Sequence, residues 1–258
     1  MSSVDMFSLQ GKNAVVIGGG GVLGGVIAQG FANAGANVAV LGRSQEKLDA
    51  RVAELSAAGR KAIGVSADTA SKSDLERSLG IIQSELGGVD ILVNGAGVNS
   101  ATPFFEISEE EWQRIVDINL KGVFLACQVF GKGMVESGRG GSVINISSAS
   151  SGPPLSKVFT YGVTKGGVNQ ITQFLAREWA PARVRVNAIV PGFFPAEQNR
   201  KILTEERVAS IFRHTPMNRF GESEELVGAA VYLASERASS FVTGSILRVD
   251  GGFLAMTI

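Results

Sequence analysis

Short apolar runs punctuate the chain at 14–17, 38–41, 62–65, 91–93, 143–146, 184–190 and 246–249. Each has the length of a β-strand, and most are nearly uncharged and apolar at successive positions rather than at every second one. Strands of that kind are buried on both faces, which suits a parallel sheet covered by helices on each side. Between the runs, helical spacing appears first at Leu23, Ile27 and Phe31, then over 44–58, 71–86, 108 into the 130s, 160–180 and 222–235. In the 160–180 segment Val168, Ile171 and Leu175 form a stripe, and Pro181 stops the helix. This alternation predicts an α/β fold: a doubly wound, parallel, seven-stranded sheet with helices on both faces. No linker, short repeat or low-complexity tract interrupts it, so 1–258 reads as one domain. The least regular stretch, 192–220, follows the sixth strand. Loops at strand C-termini form the ligand crevice of open α/β sheets, so a substrate lid is expected there.

Composition narrows the function classes. The 258 residues carry 24 Lys+Arg against 24 Asp+Glu, and no basic cluster offers the phosphate neutralisation on which nucleic-acid binding depends. Cys127 is the only cysteine and His214 the only histidine, which excludes an intrachain disulfide and a Cys/His zinc cluster; no metal is expected. The thirty uncharged positions 13–42 are broken by glycines, Asn and Gln, so they read as strand, turn, helix and strand rather than a membrane span. With no signal-peptide core near the start, the expected compartment is the cytoplasm.

The chemistry begins at Gly19-Gly20-Gly21-Val22-Leu23-Gly24, a G-x-G-x-x-G directly after the first strand and opening a helix. Glycines there permit a tight turn and close backbone approach, so that a pyrophosphate rests on helix N-terminal amides. At the end of the second strand, where a dinucleotide site usually offers an acid to the ribose, the chain reads Leu41-Gly42-Arg43-Ser44. Arg43 either pairs with a 2′-phosphate, which leans the cofactor towards NADP with NAD as the other option, or is a solvated arginine at a helix start. Tyr161 and Lys165, four apart, share a helix face. A nearby ammonium and a cationic nicotinamide would favour the phenolate and make the tyrosine a usable acid/base. Thirteen residues earlier Ser148 follows the fifth strand in Asn145-Ile146-Ser147-Ser148. Cys127 lies in an apolar helical stretch and reads as a buried, inert thiol, and lone His214 as structural or solvated. Phe193 and Phe194 either cap a pocket or pack.

On these residues the chain resembles the short-chain dehydrogenase/reductase family, whose fold is Rossmann-type, over essentially its whole length. The family's Y-x-x-x-K is Tyr161-Gly162-Val163-Thr164-Lys165, its serine falls on Ser148 and its asparagine on Asn119 in Asp117-Ile118-Asn119-Leu120. Asp68-Thr69 matches the adenine contact, Asn94-Gly95-Ala96-Gly97 the N-N-A-G turn, and Pro191-Gly192 the turn beside the nicotinamide. The resemblance thus implies cofactor contacts at Gly18, Gly20, Gly21, Val22, Leu23, Arg43, Ser44, Asp68, Thr69, Asn94, Gly95, Ala96, Tyr161, Lys165, Pro191, Gly192 and Phe194. The chain departs from the family's T-G-x-x-x-G-x-G at Ile17 and Val22, from N-N-A-G at Gly95, and from a common threonine at Ala196.

The resemblance implies general acid/base work for Tyr161, a pKa-lowering and ribose-holding role for Lys165, carbonyl polarisation by Ser148 and a relay water held by Asn119. The glycine-rich loop, the segment from Pro191 through Arg200 and His214-Thr215-Pro216-Met217 look similar to the D-mannonate (fructuronate) oxidoreductase group. That likeness suggests substrate contacts at Ser150, Phe193, Gln198 and Arg200, with Asn199 beside them, because Arg binds carboxylates and amides read hydroxyls. The expected function is hydride transfer between NAD(P)(H) and a secondary alcohol or ketone, with a sugar acid or polyol as substrate. A 3-oxoacyl thioester reductase and a non-catalytic dinucleotide-binding sensor are the alternatives. The family usually forms homotetramers, and a small-molecule substrate, no nucleic acid and no membrane are the partners expected.

Overall fold

A computed structural model describes residues 3–195 and 203–256. Seven strands form one parallel sheet: β1 Asn13–Ile17, β2 Asn37–Gly42, β3 Ala62–Ser66, β4 Ile91–Asn94, β5 Gly141–Ile146, β6 Val184–Pro191 and β7 Ile246–Val249. Their order across the sheet is β3-β2-β1-β4-β5-β6-β7, and every neighbouring pair is parallel. The doubly wound expectation therefore holds strand for strand. Successive residues face opposite sides, as the period of two requires. Val16, Val38, Val40, Val93 and Ile144 enter one core, and Val15, Ile17, Ala39, Leu41, Leu92 and Val143 enter the other. Helices α2 (Val22–Asn33) and α9 (Glu225–Ala234) cover the first core; α4 (Lys72–Leu86), α6 (Gly122–Ser137) and α7 (Phe159–Trp179) cover the second. The remaining helices are α1 (Ser3–Met6), α3 (Gln45–Ser56), α5 (Glu109–Val116), α8 (Glu205–Arg213) and α10 (Glu236–Ser239).

Two segments differ from the pattern read in the sequence. The stretch from 108 into the 130s is not one continuous α-helix: after α5, capped by Ser108, a π turn spans Asp117–Lys121, with Gly122 N donating to Asp117 O, before α6 begins. Such a turn holds one extra residue, and here it carries Asn119, whose amide gains cross-chain partners described below. The stretch 192–220 also contains a regular element, α8, where Thr204 accepts from Arg207 N and Ile211 is buried. The two apolar cores are crossed by a polar line within the sheet. Asn94 Nδ2 donates to its register partner Asn145 Oδ1 at 2.8 Å, and Asn145 Nδ2 donates to Thr172 Oγ1 at 2.9 Å. Strands β4 and β5 are thereby fixed to α7, the helix that carries Tyr161 and Lys165.

Candidate active site

The chain reverses its winding between β1 and β4, and the loops leaving the C-terminal ends of β1 to β4 converge there. They enclose a cleft of about 400 Å³ lined by Gly18, Gly20, Gly21, Gly42, Arg43, Ser44, Asp68 and Thr69, with Gly95 to Val98 opposite. Gly18 takes φ +82°, and a Cβ on it would stand 2.8 Å from Ala96 N. A Cβ on Gly24 would overlap the Gly18 carbonyl, so the glycine spacing is what lets the turn fold against α2. Helix α2 opens at Gly21 with no side-chain cap, leaving its first-turn amides without a side-chain acceptor beside the cleft. At the other wall Ser44 caps α3 by accepting from Lys47 N at 3.4 Å, and both Arg43 and Lys47 line the space. An uncapped helix start, a glycine wall and two cations fit a phosphorylated dinucleotide.

On the far side of Gly95 to Val98, four side chains come together. Lys165 is buried; its Nζ donates to Ile146 O at 2.7 Å and lies 5.5 Å from the centre of the Tyr161 ring. Ser148, two residues beyond β5, lies near enough to Tyr161 to influence its phenol, and its Oγ donates to Ser150 Oγ at 3.3 Å. Asn119 is fully buried, its Oδ1 accepting from Val98 N and its Nδ2 donating to Val98 O, both at 2.8 Å. A Cβ on Gly97 would stand 3.5 Å from Asn119 Oδ1 and 3.6 Å from Lys165 Nζ, which places these two groups beside the same loop, with the Tyr161 ring next to the lysine. Burial raises the Tyr161 pKa above its ordinary value, and the nearby Ser148 hydroxyl only partly offsets this. Burial also lowers Lys165 to about 8. In the protein alone desolvation by burial is the largest influence on the phenol, before the charge of a bound nicotinamide is added.

The other expected residues divide. Asn94 contributes no side chain to the cleft: its amide is 2% exposed and turned into the sheet, with Cys127 Sγ 3.5 Å away. Val22 is exposed, and neither it nor Leu23 lines the cleft. Pro191 ends β6 and Gly192 N donates to Val249 O at 3.0 Å. Phe193 and Phe194 line a separate hollow of about 400 Å³ together with Thr215, Met217 and Asp250. Phe193 packs on Phe253 and Phe194 against Gly221. Ser150 is buried, and its N–H donates to Ser148 Oγ at 3.1 Å. Ala196, Gln198, Asn199 and Arg200 lie outside the described residues. His214 Nδ1 contacts Ser210 O at 2.9 Å, and the buried Cys127 thiol is pushed up to about 12, as an inert group would be.

Sequence reading passed over Lys47, although a cation four residues after Arg43 at a helix start was a legible signal. It also passed over Thr164, whose hydroxyl donates to Tyr161 O at 2.7 Å and accepts from Asn119 Nδ2 at 3.2 Å, a link that spans 45 residues and left no local pattern.

The comparisons agree with this geometry. A family model described as enoyl-(acyl carrier protein) reductase matches residues 21–254. The chain is 38% identical to a 2-dehydro-3-deoxy-D-gluconate 5-dehydrogenase of Formosa agariphila, covering 98% of this chain and 96% of that one. A crystal structure of a gluconate 5-dehydrogenase from Burkholderia cenocepacia, in complex with NADP and tartrate, superimposes with a TM-score of 0.94 at 32% identity over 99% of this chain and 100% of the other. A structure assigned as a D-mannonate oxidoreductase from Haemophilus influenzae, with bound NAD, gives 0.94 at 33% identity over 99% of each chain. With the sheet order, the glycine-lined switch-point cleft and the Asn119, Ser148, Tyr161 and Lys165 cluster beside it, the chain belongs to the short-chain dehydrogenase/reductase family of NAD(P)-dependent oxidoreductases.

Proposed function

We propose that this enzyme interconverts a hydroxyl and a keto group on a sugar acid, with NADP(H) as the preferred cofactor. The observation that carries the chemistry is the placing of Ser148, Tyr161 and Lys165 together, beside the Gly97 loop that borders the dinucleotide cleft. When bound, the nicotinamide gives or takes the hydride. Tyr161 supplies the phenolic proton to the substrate oxygen in reduction and takes it back in oxidation. Ser148 donates to the carbonyl oxygen and holds it against the phenol. Lys165, anchored on Ile146 O, offers its remaining protons to the ribose hydroxyls and its charge to the phenolate. Asn119, both ends of whose amide are engaged on Val98, fixes the loop between the cofactor cleft and the reaction and organises the water through which Lys165 exchanges its proton. Arg43, Ser44 and Lys47 take the 2′-phosphate, and Gly42 removes the acid that would repel it. Ser150 and Phe193 contact the substrate, and 192–220 form its lid.

The substrate class rests on relatives and structural neighbours named as gluconate, 2-dehydro-3-deoxygluconate and mannonate enzymes. One observation favours a second reading, a thioester reductase: the acyl-carrier-protein description of the matching family model. A panel of D-gluconate, D-mannonate, 5-keto-D-gluconate, D-threitol and acetoacetyl thioester, each with NAD(H) and NADP(H), separates the two. Turnover of the acids supports the proposal, and turnover of the thioester alone overturns it.

For the assembly we propose a homotetramer. Phe104, Phe105, Trp112 and Phe159 form an exposed aromatic cluster, and Phe124 and Phe174 also expose their rings, which supports burial against another copy. Light scattering behind size exclusion tests this, a monomer mass being the contrary result. We place the enzyme in the cytoplasm, where nicotinamide cofactors are reduced and reoxidised; cell fractionation tests that. Among the described residues no helix is long and apolar enough to cross a membrane.

A further inference from the structure

Ser148 does not lie against the body of the sheet. It caps a short 3-10 turn, Ala149–Ser151, that rests on the surface of α7. Two features let it rest there. A Cβ on Gly162 would stand 3.0 Å from Ser150 O, so any larger residue at this helix position would require the turn to give by a few tenths of an ångström. Deeper along α7, Asn169 Nδ2 donates to Ser151 Oγ at 2.9 Å, and Ser151 Oγ donates to Ser148 O at 2.6 Å. The direction of this chain is fixed by counting protons. The Ser151 hydroxyl has one, and it is spent on the Ser148 carbonyl, so the bond from Asn169 must arrive from the amide NH₂. A carboxylate at 169 cannot replace it.

Asn169 follows Tyr161 by two helical turns, 12 Å along the axis by the usual rise of about 1.5 Å per residue. The same rigid helix therefore bears the phenol at one end of the turn and the anchor of the serine loop at the other. We propose that Ser151 and Asn169 are positioning residues that hold the Ser148 hydroxyl in its place beside Tyr161. They act through the backbone of Ser148 and touch neither cofactor nor substrate. The inference rests on the reading of Ser148 and Tyr161 given above. It goes beyond that reading because neither residue belongs to the Y-x-x-x-K, serine and asparagine pattern.

The consequence is electrostatic as well as geometric. The neighbouring Ser148 hydroxyl is the one influence that lowers Tyr161 against its burial, so a displaced Ser148 leaves the phenol higher still. The chain has two tyrosines, Tyr161 and Tyr232, so tyrosinate absorbance with Tyr161→Phe as the blank reports Tyr161 alone, without turnover. The experiment measures this midpoint, and the pH profile of kcat for 5-keto-D-gluconate reduction with NADPH, in Ser148→Ala, Ser151→Ala, Asn169→Asp and Ser151→Thr. Ser151→Ala and Asn169→Asp are expected to raise the midpoint as Ser148→Ala does and to lower kcat roughly ten- to a hundredfold, with NADPH affinity and thermal midpoint little changed. Ser151→Thr, which keeps the hydroxyl, restores both readouts. If Ser148→Ala raises the midpoint while Ser151→Ala and Asn169→Asp leave it at the wild-type value, the positioning role is overturned and the Ser148–Tyr161 reading stands. If Ser148→Ala itself leaves the midpoint unmoved, that underlying reading fails and the inference falls with it.

Discussion

The side chain of Asn119 and the backbone of Val98 form a reciprocal pair, each giving one hydrogen bond and receiving one, both at 2.8 Å. This is the geometry of two antiparallel residues in a sheet, reproduced by an amide side chain. It is available because the π turn rotates Asn119 out of the register a continuous α-helix would give it. The pair fastens the loop after β4, which borders the cofactor cleft on one side and Lys165 on the other.

Replacing Asn119 by Leu keeps the size of the side chain and deletes both bonds to Val98 and the one to Thr164, leaving the Val98 N–H and C=O without these partners. Stability should fall by about 1–3 kcal/mol, the cost of buried polar groups left unpaired. Urea denaturation followed by circular dichroism measures it. A change within a few tenths of a kcal/mol would show that water replaces the amide without penalty.

Tyr161→Phe removes the proton donor and keeps the ring that packs over Lys165. Turnover should drop by about two to four decades, the usual contribution of a positioned acid/base. NADPH affinity, set mainly at Arg43 and the glycine loop, should hardly change. Steady-state rates with a fluorescence titration of NADPH decide this, and a variant retaining more than about a tenth of the wild-type rate rules out the assigned role.

How far the sequence alone could have led depends on whether a signal is local. All seven strands were visible because runs such as 38–41 are apolar on both faces and have few other uses in a chain of this kind. The dinucleotide cleft was visible because its glycines, Arg43 and Asp68 sit at the ends of those strands. The π turn was not, since the choice between a bond four or five residues back was decided by Val98, 21 residues away. Helix α8 escaped because only Val208, Ile211 and Phe212 mark its apolar side, although Thr204 before Glu205 and Glu206 was a capping signal. Thr164, Ser151 and Asn169 share that difficulty: their partners are set by how α7 meets the neighbouring loops.

Arg43→Ala should weaken NADPH much more than NADH. A charge-assisted bond to phosphate is worth about 1.5–3 kcal/mol, hence roughly a 10- to 150-fold loss. Lys47 is exposed and lines the same wall, so Lys47→Ala should act in the same direction by a smaller factor. Binding titrations of both cofactors to both variants provide the check. Equal losses for NADH and NADPH would remove the 2′-phosphate from this wall.

The last expectation concerns pH, and its sign follows from Lys165. Burial lowers this amine from 10.5 to about 8. Between those values the unfolded chain holds a proton that the folded protein has released, so unfolding takes up a proton and stability rises with pH. The stabilisation is complete above 10.5, diminishes as pH falls, and has gone below about 8. Tyr161 acts oppositely, because its raised pKa makes the fold lose stability once unfolded tyrosine ionises near 10. The window from about 8 to 10 therefore isolates the lysine. Lys165→Met removes the titration while filling similar space, so the stability difference, wild type minus variant, should grow across that window in protein free of cofactor. A two-unit span corresponds to at most about 3 kcal/mol, at 1.36 kcal/mol per unit. Denaturant midpoints of both proteins at pH 7, 8, 9 and 10 supply the curve. A difference that stays flat, or falls as pH rises, would mean that Lys165 remains protonated in the folded enzyme and that its bond to Ile146 O outweighs its burial.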